Sequence, residues 1–255
     1  MSQTWCCSFK TRPNLNQTNR QGWRNLNLMR SLTMYNLTIK STWATIKAIL
    51  DMPKLSNPSK IPCYSMSIPA QACKVGSILA KIAGTVCSDC YALKGMYMFP
   101  DAKALRAHNL KLIQDNLAQW VIYSIVLIGK SSLKNGYFRW FDSGDLQDVN
   151  HLKAIIEIAL ALPTIQFWMP TKEHNLLKDV FIRQGIVCPD NLIIRLSSNY
   201  IDQAPSTDKF LTSTVFSHGN KPIGQQCIAP SQDGKCLDCR ACWNKSIPTI
   251  SYAQH

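Results

Sequence analysis

From residue 137 to residue 217, short strand-like runs alternate with helical ones, and this alternation restricts the fold more than any other feature of the sequence. YFRWF (137–141) is aromatic and reads as a strand. DVNHLKAIIEIALAL (148–162) has helical apolar spacing, with Asp148 placed to cap it. TIQFWMP (164–170) reads as a strand ended by proline. EHNLLKDVFIRQG (173–185) reads as a helix closed by Gly185 at the C′ position. NLIIRLSS (191–198) is a third strand and TSTVFS (212–217) a fourth. Strand, helix, strand with short connections means right-handed βαβ units and a parallel sheet. With four or five strands visible, the expected fold is α/β, a partial barrel or an open sheet. Its chemistry belongs at the C-terminal ends of the strands.

The rest of the chain is organised around that core. Apolar residues recur at helical spacing from Asp101 to Val121. VIYSIVLIG (121–129) is too short to cross a bilayer, which takes about 20 apolar residues, and reads as a buried strand or helix end. KLSNPSKIP (54–62) has the composition of a linker, so folding is expected to begin near Tyr64. Residues 1–60 carry nine Lys and Arg against the single acid Asp51 and have little apolar periodicity. They read as a disordered basic arm. Three parts follow: the arm (1–60), an α/β core (61–220) and a cysteine-rich C-terminal region (221–255).

No signal-peptide core and no membrane span is visible, which places the protein in the cytoplasm. Thiols stay reduced there, so eleven cysteines point to metal rather than to disulfides. Seven of them fall into two groups. Cys73, Cys87 and Cys90 are spaced C-x13-C-x2-C. Cys227, Cys236, Cys239 and Cys242 are spaced C-x8-C-x2-C-x2-C. A two-residue gap lets neighbouring sulfurs turn toward one centre. Three cysteines in one short run resemble the iron–sulfur run of small ferredoxins, while a tetrahedral zinc site would also take all four thiolates. The first group has three ligands. It holds a cluster with one iron open, a 4Fe-4S centre suited to chemistry, or a zinc ion completed by His108 or His218, or it merges with the second group into one site. Cys63 and Cys188 are isolated and read as buried structural thiols.

The stretches SIPAQACKVGSILAKIAGTVCSDCYALKGMY (67–97), FDSGDLQDVNHL (141–152), FWMPTKE (167–173), NLIIRLSS (191–198) and GKCLDCRACW (234–243) occur in this order. Over residues 57–255 they resemble the phage and plasmid family called gene product 88. That resemblance implies a phage or mobile-element protein in a bacterial cell. A looser similarity is to radical S-adenosylmethionine (SAM) enzymes, which join a three-cysteine cluster to a partial α/β barrel and often add a cysteine-rich C-terminal region for a second cluster. That similarity implies a reactive cluster on Cys73, Cys87 and Cys90, an auxiliary one on the four C-terminal cysteines, and SAM as a further cofactor. The chain departs from the pattern in its long first spacing and in having Ser143-Gly144-Asp145 where a Gly-Gly-Glu segment is usual.

Candidate site residues cluster at the strand ends. Asp142, Asp145 and Lys172 are the candidate catalytic groups, as carboxylates and an ammonium able to move or hold a proton. Tyr91, Ser143, Gly144, Asp145 and Arg195 are the candidate cofactor-binding residues. Lys74, Lys81 and Lys94 read as a solvated face. The net charge of +13 also leaves room for a different class, a metal-stabilised nucleic-acid-binding protein, or for an iron–sulfur protein of redox or regulatory type without turnover.

Overall fold

The computed structural model describes residues 52–254. The basic arm, with Cys6 and Cys7, lies almost wholly outside the described residues. Seven strands form one sheet in the order β1-β2-β3-β4-β5-β7-β6, and every pairing is parallel. They are β1 (Tyr64–Met66), β2 (Tyr137–Trp140), β3 (Gln166–Thr171), β4 (Leu192–Ser197), β5 (Leu211–Phe216), β6 (Gln225–Gln226) and β7 (Thr249–Ala253). The helices are α1 (Lys74–Leu79), α2 (Pro100–Asp115), α3 (Leu117–Ser132), α4 (Val149–Ala161) and α5 (His174–Leu177), which runs on as a π-turn over Lys178–Arg183.

The first five strands lie side by side in chain order, so successive right-handed crossovers deliver their helices to the same face. The strand residues confirm this. Phe138, Trp140, Phe167, Met169, Leu192, Ile194 and Leu196 pack with Ile113 of α2, Trp120 and Ile128 of α3, Ile155 of α4 and Leu177 of α5 in one core. The intervening residues point the other way. Trp168 packs with Cys63 and Trp243 in a second, smaller cluster. One face of the sheet is therefore covered by helices and the other by cysteine-bearing loops.

Several sequence expectations are corrected. The helical stretch after Asp101 is two helices, broken at Asn116, whose side chain accepts from Gln119 N at 3.1 Å and caps α3. VIYSIVLIG is the buried middle of α3. Pro170 sits inside β3, opposite Arg195, rather than ending it. The 54–62 stretch is fastened down: Lys54 exchanges two hydrogen bonds with the buried Asn109, Ser56 bridges Ser65, and Lys60 O accepts from Cys236 N at 2.8 Å. The C-terminal region is woven into the sheet, because β7 pairs with β5 on one side and β6 on the other. Asp148 does cap α4, accepting from His151 N at 2.8 Å, and Gly185 takes φ +65° after the π-turn.

His151 itself is enclosed by Trp120 and Phe141 at 5.2 and 5.7 Å, edge-on to both. Burial pushes its pKa down to about 4. Between that value and the ordinary one near 6.5, the unfolded chain binds a proton that the folded chain refuses. Stability is then full above pH 6.5 and is lost as pH falls. The protein is expected to lose about 3 kcal/mol from this group between pH 7 and pH 4, at about 1.4 kcal/mol per pKa unit. Urea denaturation at the two pH values measures it, and a His151→Gln variant should lack the step.

Candidate metal and ligand sites

The first site forms at the C-terminal edge of the sheet, after β1, β2 and β3. Cys73 precedes α1 in an extended conformation. The loop carrying Cys87 is pinned by the buried Thr85, whose hydroxyl donates to Leu79 O at 2.7 Å, and by Val86 N donating to Asn199 O at 2.9 Å beyond β4. Cys90 leads into the 3-10 turn Tyr91–Leu93. Gly76 of α1 faces two of the sulfurs: a Cβ placed there would stand 3.6 Å from both Cys73 Sγ and Cys87 Sγ. A Cβ there would also stand 3.0 Å from Cys73 Cβ, so glycine lets α1 pack closely on the Cys73 side chain.

Asp145 and Lys172 arrive at the same place. Asp145 is buried and accepts from Thr171 Oγ1 at 2.6 Å, Leu146 N at 2.8 Å and Lys172 N at 2.8 Å, which ties the end of β2 to the end of β3. Burial nevertheless pushes its pKa up to about 6. The Lys172 ammonium donates to Ser198 O and is held below the usual lysine range by burial. Glu173 Oε1 accepts from Val75 N at 3.1 Å, two residues beyond Cys73. The Cys73 thiol is pushed up by burial first, then by the negative charges of Asp145, Cys90, Cys87 and Glu173. Cys87 is pushed up by burial, with Lys172 opposing. The three thiols and the Asp145 carboxylate thus lie near one ammonium, with Glu173 on the Cys73 side. Their thiolate forms need further positive charge, and thiolate with carboxylate is a donor set suited to a metal centre. Ser143 and Ser198 add buried hydroxyls at this edge with no hydrogen-bond partner among the described residues.

The other sequence candidates separate from that group. Asp142 accepts from the Ser67 hydroxyl and lies among Arg139, Arg106, Tyr91 and Tyr97. The Tyr91 hydroxyl turns inward to donate to Asp142 O at 2.8 Å, while much of the residue stays exposed. Gly144, at φ +82°, closes the turn against Ile68, where a Cβ would lie 2.7 Å from Ile68 O. Ser143 and Gly144 therefore shape the loop that presents Asp145. Arg195 is wholly buried in the middle of β4. Its guanidinium donates to five main-chain carbonyls: Cys242 at 3.1 Å, Thr212 at 3.4 Å, Ile247 at 2.9 Å, Ala241 at 3.4 Å and Asn244 at 2.8 Å. It clamps the C-terminal loop. His218 is exposed in the turn after β5, and Lys94 pairs with Asp89 at the surface.

The second site lies on the loop-covered face. Cys227, Cys236, Cys239 and Cys242 all line one cavity of about 40 Å³, together with Trp243 and Ile250. Cys239 N donates to Cys236 O at 2.8 Å, closing the C-x2-C turn, and the Tyr252 hydroxyl lies 3.2 Å from Cys242 Sγ. Burial pushes the Cys242 thiol up to about 11. Cys63 is the buried, isolated thiol that its place in the sequence suggests. It is buried against Trp168, Trp243 and Cys242, and its thiol is pushed up to about 12 by burial, with Cys236 and Cys242 adding to the effect. Among the described residues, no three His, Cys, Asp or Glu side chains are already arranged as a metal-ion site. No helix among them is long and apolar enough to cross a membrane.

A family model described as gene product 88 matches residues 27–245. No curated protein and no solved structure matches the chain.

Proposed function

The chain belongs to the gene product 88 family, and from that footing we propose that it is an iron–sulfur enzyme with a radical-SAM-like layout. Cys73, Cys87 and Cys90 would hold the reactive centre, and Cys227, Cys236, Cys239 and Cys242 an auxiliary one. The observation that carries this reading is the meeting of the first three cysteines with Asp145, Lys172 and Glu173 at the C-terminal edge of a parallel sheet wound in chain order. Chemistry in parallel α/β folds gathers at that edge. A cluster held by three thiolates supplies one-electron chemistry and leaves one iron for a small-molecule ligand, for which SAM is the candidate.

The chain's own groups have definable tasks. Lys172 places a buried positive charge beside the thiols. Asp145 holds the Lys172 backbone and offers a carboxylate whose pKa near 6 suits proton exchange at neutral pH. The unpartnered hydroxyls of Ser143 and Ser198 offer hydrogen bonds to a polar ligand.

Anaerobic purification, followed by iron, sulfide and zinc analysis and by SAM-binding titration, tests the proposal. Iron and sulfide are expected at both groups. Cys87→Ala should lose about half of each and all SAM affinity. A colourless protein with stoichiometric zinc overturns the iron–sulfur assignment. Iron without SAM binding overturns the enzyme reading and leaves a redox protein.

A further inference from the structure

Among the described residues, fifteen large apolar side chains are exposed, and seven of them lie between Ile78 and Phe99. Five fall within nine consecutive residues after Cys90: Tyr91, Leu93, Met96, Met98 and Phe99, with Met96 75% and Phe99 59% exposed. A strip this dense differs from the scattered single apolar residues that any surface carries. It is also firmly built. Two 3-10 turns, Tyr91–Leu93 and Gly95–Met98, run into α2. Ala92 is buried beneath them. The Tyr91 hydroxyl donates to Asp142 O at 2.8 Å, and the Tyr91 ring meets Tyr97 edge-on at 5.5 Å. The buried Arg106 lies 4.5 Å over the Tyr97 ring and donates to Ala102 O at 2.9 Å. Leu93 N donates to Cys90 O at 3.1 Å and Phe99 N to Met96 O at 3.3 Å. The strip is fastened from below while its apolar side chains face water, so a partner that covers it has little order to supply.

The charges on the same stretch of chain choose among partners. Lys74, Lys81, Lys94 and Lys103 are exposed there, against the acids Asp89 and Asp101. A second copy of the chain would set these lysines against each other. Residues 1–60 would bring nine basic groups and one acid. Like charge opposes both. A single-stranded nucleic acid would satisfy the lysines, but it offers base faces that stack on aromatic rings, and Leu93, Met96 and Met98 are aliphatic. A polypeptide supplies apolar side chains and carboxylates together. Methionine and aromatic residues are enriched at the centres of protein interfaces, with polar groups at the rim, and methionine adapts to varied partners. We propose that residues 91–99 are a docking surface for an acidic polypeptide segment. Its apolar side chains cover Met96 and Phe99, and its carboxylates meet Lys94 and Lys103. Because Tyr91 is tied to Asp142, the segment is held beside the end of β2. The surface is the same whatever the cysteines hold.

The test pans a random dodecapeptide library against the immobilised full chain and titrates the recovered peptides by fluorescence anisotropy. They are expected to carry net negative charge together with large apolar residues. Met96→Ser combined with Phe99→Ser should weaken their binding at least about thirtyfold, the loss of one interface hot spot. Lys94→Glu combined with Lys103→Glu should weaken it about tenfold and flatten its dependence on salt. Lys153→Glu, an exposed change on α4, should leave it unchanged. All these side chains are exposed, and circular dichroism checks that each variant keeps the parent fold. Neutral or basic peptides, no recovered peptide, or binding unmoved by either double variant overturns the proposal. The parent and the Met96→Ser, Phe99→Ser variant are also compared in three further assays. These are sedimentation with vesicles of phosphatidylglycerol and phosphatidylcholine, binding of a labelled single-stranded oligonucleotide, and light scattering for self-association. A signal in any of them that the variant loses gives the strip to that occupant and overturns the proposal.

Discussion

Arg195→Met is expected to destabilise the protein by on the order of 5 kcal/mol and to release the C-terminal loop. The side chain is fully buried, and its five carbonyl acceptors come from β5 and from residues 241–247. Methionine fills comparable volume but donates nothing, so several carbonyls lose their partner. Hydrogen bonds to a charged donor contribute about 1.5–3 kcal/mol each, and buried acceptors left unsatisfied add their desolvation cost. Against a typical total of about 5–15 kcal/mol, that loss removes most of the folded population or unfolds the loop locally. Arg195→Lys should fall between, since one ammonium cannot span the fork of acceptors. Chemical denaturation gives the magnitude, and limited proteolysis around residues 236–247 gives the location. A variant within about 1 kcal/mol of the parent, and equally resistant to protease, would mean that the carbonyls find other partners and that Arg195 is no clamp.

The same residue shows where sequence reading stops. Arg195 lies in NLIIRLSS, and a basic residue in an apolar strand at a presumed active-site edge suggests ligand binding. The structure instead points it at a loop nearly fifty residues later, a pairing that no local pattern encodes. The βαβ core was legible because each element carries its own period and caps: Asp148 before α4, Gly185 after the π-turn, aromatic runs for β2 and β3. β1 and β6 were not, because they span only three and two residues, and β7 was not, because TISYA mixes polar and apolar residues without a strand-like run. Thr214 and Ser251, buried and hydrogen-bonded to each other at 2.8 Å across β5 and β7, carry no apolar signal at all. That Cys227, Cys236, Cys239 and Cys242 line one cavity is consistent with their close spacing. The partition of the acids was not legible. Asp142 and Asp145 are three residues apart, yet Gly144 turns the chain between them, so that one joins Arg139 and Arg106 and the other joins the thiols.

That partition makes Asp145 the more informative of the two to remove. Asp145→Ala leaves the Thr171 hydroxyl, Leu146 N and Lys172 N without their acceptor in a buried setting. Each unsatisfied donor costs about 1–3 kcal/mol. Part is regained, because the raised pKa of Asp145 means that its charge is held at a cost above pH 6. The expected net loss is about 3 kcal/mol. Asp145→Asn keeps one oxygen acceptor but turns an amide toward a donor, so it should lose about half as much. The larger consequence is local. Asp145 joins the end of β2 to the backbone of Lys172, and Lys172 sets the ammonium beside Cys87. Losing the joint should loosen the first cysteine group while leaving the second, which is built on Arg195, Trp243 and β7, as it was. Metal analysis of Asp145→Ala should then match that of Cys87→Ala. On the proposed assignment, Asp142→Asn should retain the metal of both groups. Full metal content in Asp145→Ala would show that the three cysteines hold their centre without help from the strand ends, and would remove Asp145 from the site.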